Sequence, residues 1–333
     1  MTQPGRHMRA EIAEAPGVFD RTVRRAVAGL PVTLDAVRAF YTIARGSSDA
    51  AANILSYEFM RETGRPMTSL PPSVFSVGRG VVLAGSVALV VSQSGASDDL
   101  VRSAKGARAS GAMVIGLVNQ PSSAVEAAAD LVVPIGAGPE LAVPATKSVI
   151  GSIAAGMALL SNLVPVYAAR AQASAKTIAK LAGVAHPDHA KLLPALLRSQ
   201  HVYVIGRDTG YGAAQELALK LKETCALHAE AYSSSEVLHG PLQLVTKPLL
   251  ILILDTGQPD VQASLDTAEA RFRAAGGAVF RLCPADVGAG DLTPAAAAAA
   301  LLYLTYPLVL DLALALGFDP DRPATLSKVT QTT

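Results

Sequence analysis

Four polar groupings interrupt an otherwise apolar chain, and each has a definite chemical capacity. Ser92-Gln93-Ser94-Gly95-Ala96-Ser97 offers three hydroxyls and a glycine directly after an apolar run. If a helix opens behind it, the free backbone N–H groups complete a phosphate cradle. Serines also cap helices, so the loop by itself leaves both readings open. It contains no lysine, which separates it from the nucleotide-binding P-loop. Ser47-Ser48 adds two hydroxyls after another apolar run. An uncharged, hydroxyl-rich pocket suits one phosphomonoester on a polyhydroxy substrate better than a dinucleotide, and no G-x-G-x-x-G follows any expected strand.

The third grouping is Glu216, Lys220 and Glu223, spaced i, i+4, i+7 and therefore on one face of a helix over 212–227. Ala214, Leu217, Ala218 and Leu221 fall on the other face. The polar face is either a solvated ion pair worth about 0.3–0.5 kcal/mol or a set of groups able to move protons. The fourth grouping, 228–241, holds two histidines, two glutamates and three serines in 14 residues between apolar elements. A metal site built from His228, Glu230 and His239 would fit no common ligand spacing, so neither a metal nor a cofactor is expected.

These groups need elements to hold them, and the chain supplies those twice. The stretch 37–44 is apolar, ends in Arg45-Gly46-Ser47-Ser48-Asp49, and is followed by an alanine-rich helical segment to about Glu62. The stretch 202–205 ends in Gly206-Arg207-Asp208-Thr209-Gly210 and is again followed by a helical segment. Each unit continues into a second strand (87–91; 249–254), a polar loop, a helix (98–110; 261–275), a glycine, and a third strand (114–118; 279–282). Short apolar runs alternating with helices indicate parallel βαβ units whose strands are covered on both faces. The expected class is α/β: two tandem domains, each a doubly wound parallel β-sheet flanked by helices. The boundaries read as an N-terminal helical extension 1–29, a first domain 30–165 with the phosphate loop, a helical linker 166–195, a second domain 196–320 with the titratable helix, and a tail 321–333. Ligands of such sheets bind beyond the carboxyl ends of the strands, which points to the loops at 45–49, 92–97 and 206–212.

Composition bounds the remainder. Of 333 residues, 50% are hydrophobic and 17% charged, which excludes disorder. With 28 basic against 27 acidic residues, the chain carries no electrostatic footprint for nucleic acid or an anionic membrane. Cys225 and Cys283 are too few for a disulfide framework. Residues 1–14 lack the apolar stretch of a signal peptide, so a cytoplasmic protein is expected. The apolar segments 149–169 and 295–318 could each span a bilayer by length, but their polar residues favour buried helices of a soluble protein. The histidines at 7, 186, 189 and 201 read as surface or structural groups.

The motifs together resemble the sugar isomerase (SIS) family, and within it the isomerase half of glucosamine-6-phosphate synthase. The resemblance rests on Glu216-Leu-Ala-Leu-Lys220-Leu-Lys-Glu223, His228-Ala-Glu-Ala-Tyr232 and Glu236-Val-Leu-His239-Gly-Pro241, on the 92–97 loop, on Pro139-Glu140 and Thr146-Lys147, and on Leu326-Ser327-Lys328-Val329-Thr330. It runs from about residue 30 to the end. It implies a phosphate site at Ser47, Ser48, Ser92, Gln93, Ser94 and Ser97, with Val143 and Ala145 lining the sugar. It implies Glu223 as the base for a proton shift, Lys220 as its polarising partner, Glu216 positioning hydroxyls, His239 in ring opening and Lys328 as a Schiff-base amine closing over the open chain. It also implies a homodimer in which His239 acts on the partner's site, with the apolar 149–169 helix as a surface for association.

The departures shape the expected activity. The chain begins Met1-Thr2-Gln3 and is expected to carry no glutaminase domain. Ala145 stands where the resemblance leads one to expect serine, Ser233-Ser234-Ser235 replaces Ala-Ala-Gly, and Glu11-Ile-Ala-Glu-Ala-Pro16 looks like the family's stand-alone deaminases. The expected reaction is glucosamine 6-phosphate to fructose 6-phosphate and ammonia. A deglycase or isomerase on another sugar phosphate, of the fructosamine 6-phosphate type, is the alternative within the fold. A non-catalytic sugar-phosphate sensor is the alternative outside enzymology, but it would have no use for Glu223, His239 and Lys328 together.

Overall fold

A computed structural model describes residues 3–328. In chain order the elements are α1 (Arg6–Val23), β1 (Ala39–Ile43), α2 (Gly46–Thr63), β2 (Met67–Ser69), α3 (Ser73–Ser76), β3 (Ser86–Ser92), α4 (Asp98–Ala109), β4 (Met113–Val118), α5 (Ala124–Ala128) and β5 (Leu131–Pro134). There follow α6 (Lys147–Leu163), α7 (Pro165–Ala179), α8 (His189–Leu197), β6 (His201–Gly206), α9 (Thr209–Cys225), β7 (His228–Ser233), β8 (Leu250–Leu254), α10 (Pro259–Ala274), β9 (Ala278–Leu282) and α11 (Pro294–Ala315).

The strands form two parallel sheets. The first has five strands in the order β2-β1-β3-β4-β5, the second four in the order β7-β6-β8-β9. The duplication is therefore real: in each, the first strand lies between the second and the third, and the chain then moves outward. Register is kept through the central pairs, with Val87 opposite Met113 and Leu250 opposite Ala278.

Burial explains why the strand residues are apolar throughout. Leu89 and Val91 on the first sheet and Leu252 and Leu254 on the second share one core with α1, α2, α6, α9 and α11. The opposite faces close over separate clusters, Ala88, Val90 and Val114 under α4, and Tyr203, Ile205 and Ile253 under α10. One interior thus joins the two units. Among the described residues, α11 alone is long and apolar enough to cross a membrane, and 83% of its most apolar window is buried inside the protein. Its alanine run 295–300 is fully packed, since small side chains let neighbouring helices approach closely.

One expectation needs correction. The apolar stretch 149–169 is not one helix with an exposed face. It breaks at Val164, where Pro165 opens α7, and α6 is buried from Lys147 to Leu160 within its own chain. The helix fills the shared core and has no surface left for association. The polar segment 228–241 opens with a strand that the apolar pattern did not signal: His228–Ser233 is β7, an edge strand of the second sheet. An edge strand pairs its backbone on one side only, so polar side chains there need no buried partners.

Candidate active site

The first wall of the site comes from the carboxyl ends of β1 and β3. Gly46 leads from β1 into α2 with a positive φ of 53°, so Ser47 and Ser48 lie in the first helical turn. Arg45 is fixed alongside by Asp99 of α4, Nε to Oδ2 at 2.9 Å. In the 92–97 loop, the Ser92 hydroxyl accepts from the Gly95 N–H at 2.9 Å. Gly95 has φ 62°, and a Cβ there would meet the Ser123 side chain at 2.2 Å, so glycine is required both conformationally and sterically. Ser97 stands at the N-cap of α4 yet makes no side-chain capping bond. That removes the simple capping explanation for this serine.

The second wall is α9. Thr209–Cys225 is wedged between β6, β7, α2 and α11, so even its polar face is taken out of solvent. Glu216 and Lys220 are both fully buried, and Lys220 Nζ is 3.5 Å from Glu216 Oε1 while also donating to Glu223 Oε2. The solvated ion pair is therefore excluded; this is a buried carboxylate–ammonium–carboxylate array that opens to the cavity at Glu223, whose side chain is 27% exposed. Tyr306 of α11 donates to Glu216 Oε1 at 3.2 Å. Burial pushes the Glu216 carboxyl up to about 7 against the opposing pull of Lys220. At Lys220, burial disfavours the ammonium, but Glu216 and Glu223 outweigh it and the net shift is upward. Lys220 thus remains a cation beside its carboxylates.

The third wall joins the segment after β5 to the tail. Glu140 accepts from Thr146 N and Ser148 N at 3.0 Å each and from the Ser148 hydroxyl at 2.6 Å. It thereby closes the N-terminus of α6 and fixes Val143 and Ala145 between. Lys328 arrives from the other end of the chain, its Nζ 3.3 Å from Glu140 Oε2 and donating to Ala142 O.

Between these walls lies a cavity of about 320 Å³, lined by Ser47, Ser48, Ser92, Gln93, Ser94 and Ser97 on one side, by Val143 and Ala145, and by Lys220, Glu223 and Lys328. Two of the expected residues are outside the lining. Glu216 is buried behind Lys220, and His239 sits exposed on a 3-10 turn, Glu236–His239, beyond β7. Val329 and Thr330 of the tail motif lie outside the described residues. His228 contacts His201, ring nitrogens 3.1 Å apart, and Glu230 accepts from Tyr232. Among the described residues, no three histidine, cysteine or acidic side chains converge as a metal site. Sequence reasoning named Glu140 in the sugar-site segment without its pairing to Lys328, and missed Tyr306 as the partner of Glu216 and Leu100 in the lining. Arg45 opens the 45–49 loop already singled out, though no role was given to it; Tyr306 carried no local signal.

Comparison with known proteins agrees with this architecture. The SIS domain matches residues 34–162 and 195–292, the two βαβ units found in the fold. The glutamine–fructose-6-phosphate aminotransferase (isomerizing) of Zymomonas mobilis subsp. mobilis is 28% identical over 96% of this chain and 58% of its own length. That of Symbiobacterium thermophilum is 31% identical over 88% of this chain and 51% of its own length. The chain thus spans little more than half of these curated relatives. Among solved structures, a chain from Silicibacter pomeroyi DSS-3, provisionally described as a phosphosugar isomerase, superposes with TM-score 0.83 and 31% identity, covering 94% of this chain and 99% of that one. Glucosamine-6-phosphate deaminase from Thermotoga maritima shares the fold at TM-score 0.77 and 19% identity, covering 98% and 100%. With two matched segments lying on two sheets of one strand order, the chain belongs to the SIS domain family.

Proposed function

We propose that the protein is a phosphosugar isomerase that converts glucosamine 6-phosphate to fructose 6-phosphate and ammonia. The observation that carries this reading is that one cavity, of about 320 Å³, has hydroxyls from one unit, a carboxylate–lysine array from the other and the tail lysine on its walls. Its size suits a hexose phosphate. The 92–97 loop and the first turn of α2 bind the phosphate through hydroxyls and backbone N–H groups. In the open-chain sugar, Glu223 takes the C2 proton and returns it to C1, while the C1 carbonyl oxygen gains a proton to become a hydroxyl and the C2 amine gives one up to become the imine. Lys220, held cationic by its carboxylates, balances the negative charge that develops during the shift. The product carries an imine at C2; water adds there and ammonia leaves. Lys328, on the facing wall, closes over the open-chain sugar as an amine able to form a Schiff base with a sugar carbonyl, water leaving as the imine forms and returning as it is hydrolysed.

His239 acts on the cavity of a second copy in a homodimer. In support, it is exposed and belongs to none of the walls of its own cavity. A polar turn following an edge strand is free to reach a neighbour. The deciding experiment incubates purified protein with glucosamine 6-phosphate and measures ammonia and fructose 6-phosphate. Equimolar release of both supports the reading, whereas no ammonia from glucosamine 6-phosphate together with interconversion of glucose 6-phosphate and fructose 6-phosphate would replace it with simple isomerisation. Ala145 in the lining favours a second substrate class. A methyl there leaves room for an N-substituted sugar, so fructosamine 6-phosphate belongs in the same assay.

A further inference from the structure

No residue of α1 lines the cavity, yet α1 touches every segment that builds the wall carrying Lys328. The helix begins at Gly5, which has φ 68° and where a Cβ would meet Leu310 Cδ1 of α11 at 2.7 Å. Glycine is therefore dictated by packing, and the helix has no N-cap side chain of its own to satisfy its first N–H groups. The tail supplies the acceptors. Asp319 Oδ1 accepts from Gly5 N at 3.0 Å. Asp321 Oδ2 accepts from His7 N at 2.9 Å and Oδ1 from Met8 N at 2.8 Å. Asp321 is only 6% exposed, and its own carbonyl accepts from Val143 N at 3.2 Å. One residue thus ties the start of α1 to the tail and to the cavity-lining loop. A turn further along α1, Glu11 Oε1 accepts from Leu141 N and from Ala142 N, the residue whose carbonyl receives Lys328. Glu14 pairs with Lys147 at 2.7 Å.

We propose that Asp321 and Glu11 are positioning residues: by fastening the tail and the 141–142 backbone to α1, they set where Lys328 enters the cavity. Beyond α11 the chain has 18 residues, and those described, 316–328, form no further helix or strand, so their path depends on side-chain and loop contacts of this kind. Lys328 follows Asp321 by seven residues, so fixing one limits the reach of the other. The functional importance of that placement rests on the reading of the cavity as the active site.

The test separates the two ideas. Competitive acetylation of amines by acetic anhydride, read by mass spectrometry in the substrate-free protein, reports the environment of Lys328 against exposed Lys247. In the unaltered protein Lys328 reacts more slowly than Lys247. In Asp321→Ala and in Glu11→Ala its rate rises about fivefold or more, while that of Lys220 is unchanged. Both variants lose about ten- to a hundredfold in kcat with KM within about threefold, because the phosphate loop lies on another wall. Glu11→Gln keeps an accepting oxygen and recovers most of the loss. Unchanged Lys328 labelling in either folded variant overturns the proposal. If labelling changes as stated but Lys328→Ala retains full kcat, the tether stands and the assignment of the cavity falls.

Discussion

The two sheets follow one strand order, yet their rims differ. Behind β3 the first unit places Ser92, Ser94 and Ser97 and no acidic side chain before α4 begins. At the matching point behind β8 the second unit places Asp255, 7% exposed at its side chain. That carboxylate accepts from Gly257 N at 2.8 Å and Gln262 Nε2 at 2.9 Å, and Arg281 lies 2.8 Å from its other oxygen. The next loop repeats the contrast. Ser47 and Ser48 line the cavity, whereas Asp208 caps Thr209 N at 2.7 Å and pairs with Arg61 at 2.9 Å. In the second unit Asp208 thus occupies the start of α9, where an external anion would otherwise bind, and Asp255 fills the loop ahead of α10 with an internal carboxylate network. In the first unit the loops ahead of α2 and α4 present serine hydroxyls to the cavity instead. The two rims of the duplicated fold thus differ in chemistry, one rich in hydroxyls and one closed by an aspartate–arginine network, and the second unit gives the buried array on α9.

The largest expected effect breaks the division of labour at its proton-moving side. Glu223→Gln should lower kcat by about 10²–10⁴-fold while leaving sugar-phosphate binding intact. Mixing it with an inactive His239→Ala protein, under conditions of subunit exchange, should restore up to about half the activity of each mixed dimer. No recovery despite exchange shown by mass would confine His239 to its own chain or to no role in turnover.

On the binding side the effect should be smaller and of another kind. Replacing Ser94 and Ser97 together by alanine removes two hydrogen bonds to a charged group and should raise KM about ten- to a hundredfold with little change in kcat. Thr256→Ala, on the closed rim, should change neither. Equal losses from both would erase the contrast between the units.

The closed rim should matter for stability instead. Asp255→Ala strands Arg281 with fewer carboxylates and should cost about 2–4 kcal/mol in urea unfolding, at unchanged KM. A normal unfolding midpoint would mean that the Asp255 network is ornamental.

The smallest effect concerns the interior that both units share. Burial pushes Glu58 and Glu11, like Glu216, from 4.5 up to about 7. In that window the folded chain holds protons that the unfolded chain has released. Stability contributed by these groups therefore falls as pH rises from about 4.5 to about 7 and levels off above. Thermal melts across that range should show the decline, and Glu58→Gln should flatten it. A slope unaltered in Glu58→Gln would refute the assignment of that proton to Glu58, whose carboxyl receives the Tyr167 hydroxyl at 2.7 Å.

Much of this was legible in the chain because the groups concerned signal locally. The runs 87–91 and 249–254 are apolar on both faces since both faces are covered, and the serine loop follows the first of them directly. The i, i+4, i+7 spacing put Glu216, Lys220 and Glu223 on one face, but spacing alone could not decide between solvent and interior; helices packed from distant segments decided it. Pro165 marked the break between α6 and α7, consistent with its preference for a first helical turn, yet apolarity masked it. β2, at three residues, is shorter than any pattern can reveal, and β7 is polar because it is an edge. Tyr306 reaches Glu216 across 90 residues and Lys328 reaches Glu140 across 188, separations that leave no local trace.

The most direct measurement is a crystal structure of the protein with fructose 6-phosphate or glucosamine 6-phosphate. The account predicts the phosphate on Ser47, Ser48 and the 92–97 loop, with C1 and C2 of the open chain between Glu223 and Lys328. A phosphate held at the Asp255–Thr256 rim, or a sugar whose C2 lies away from Glu223, would contradict it.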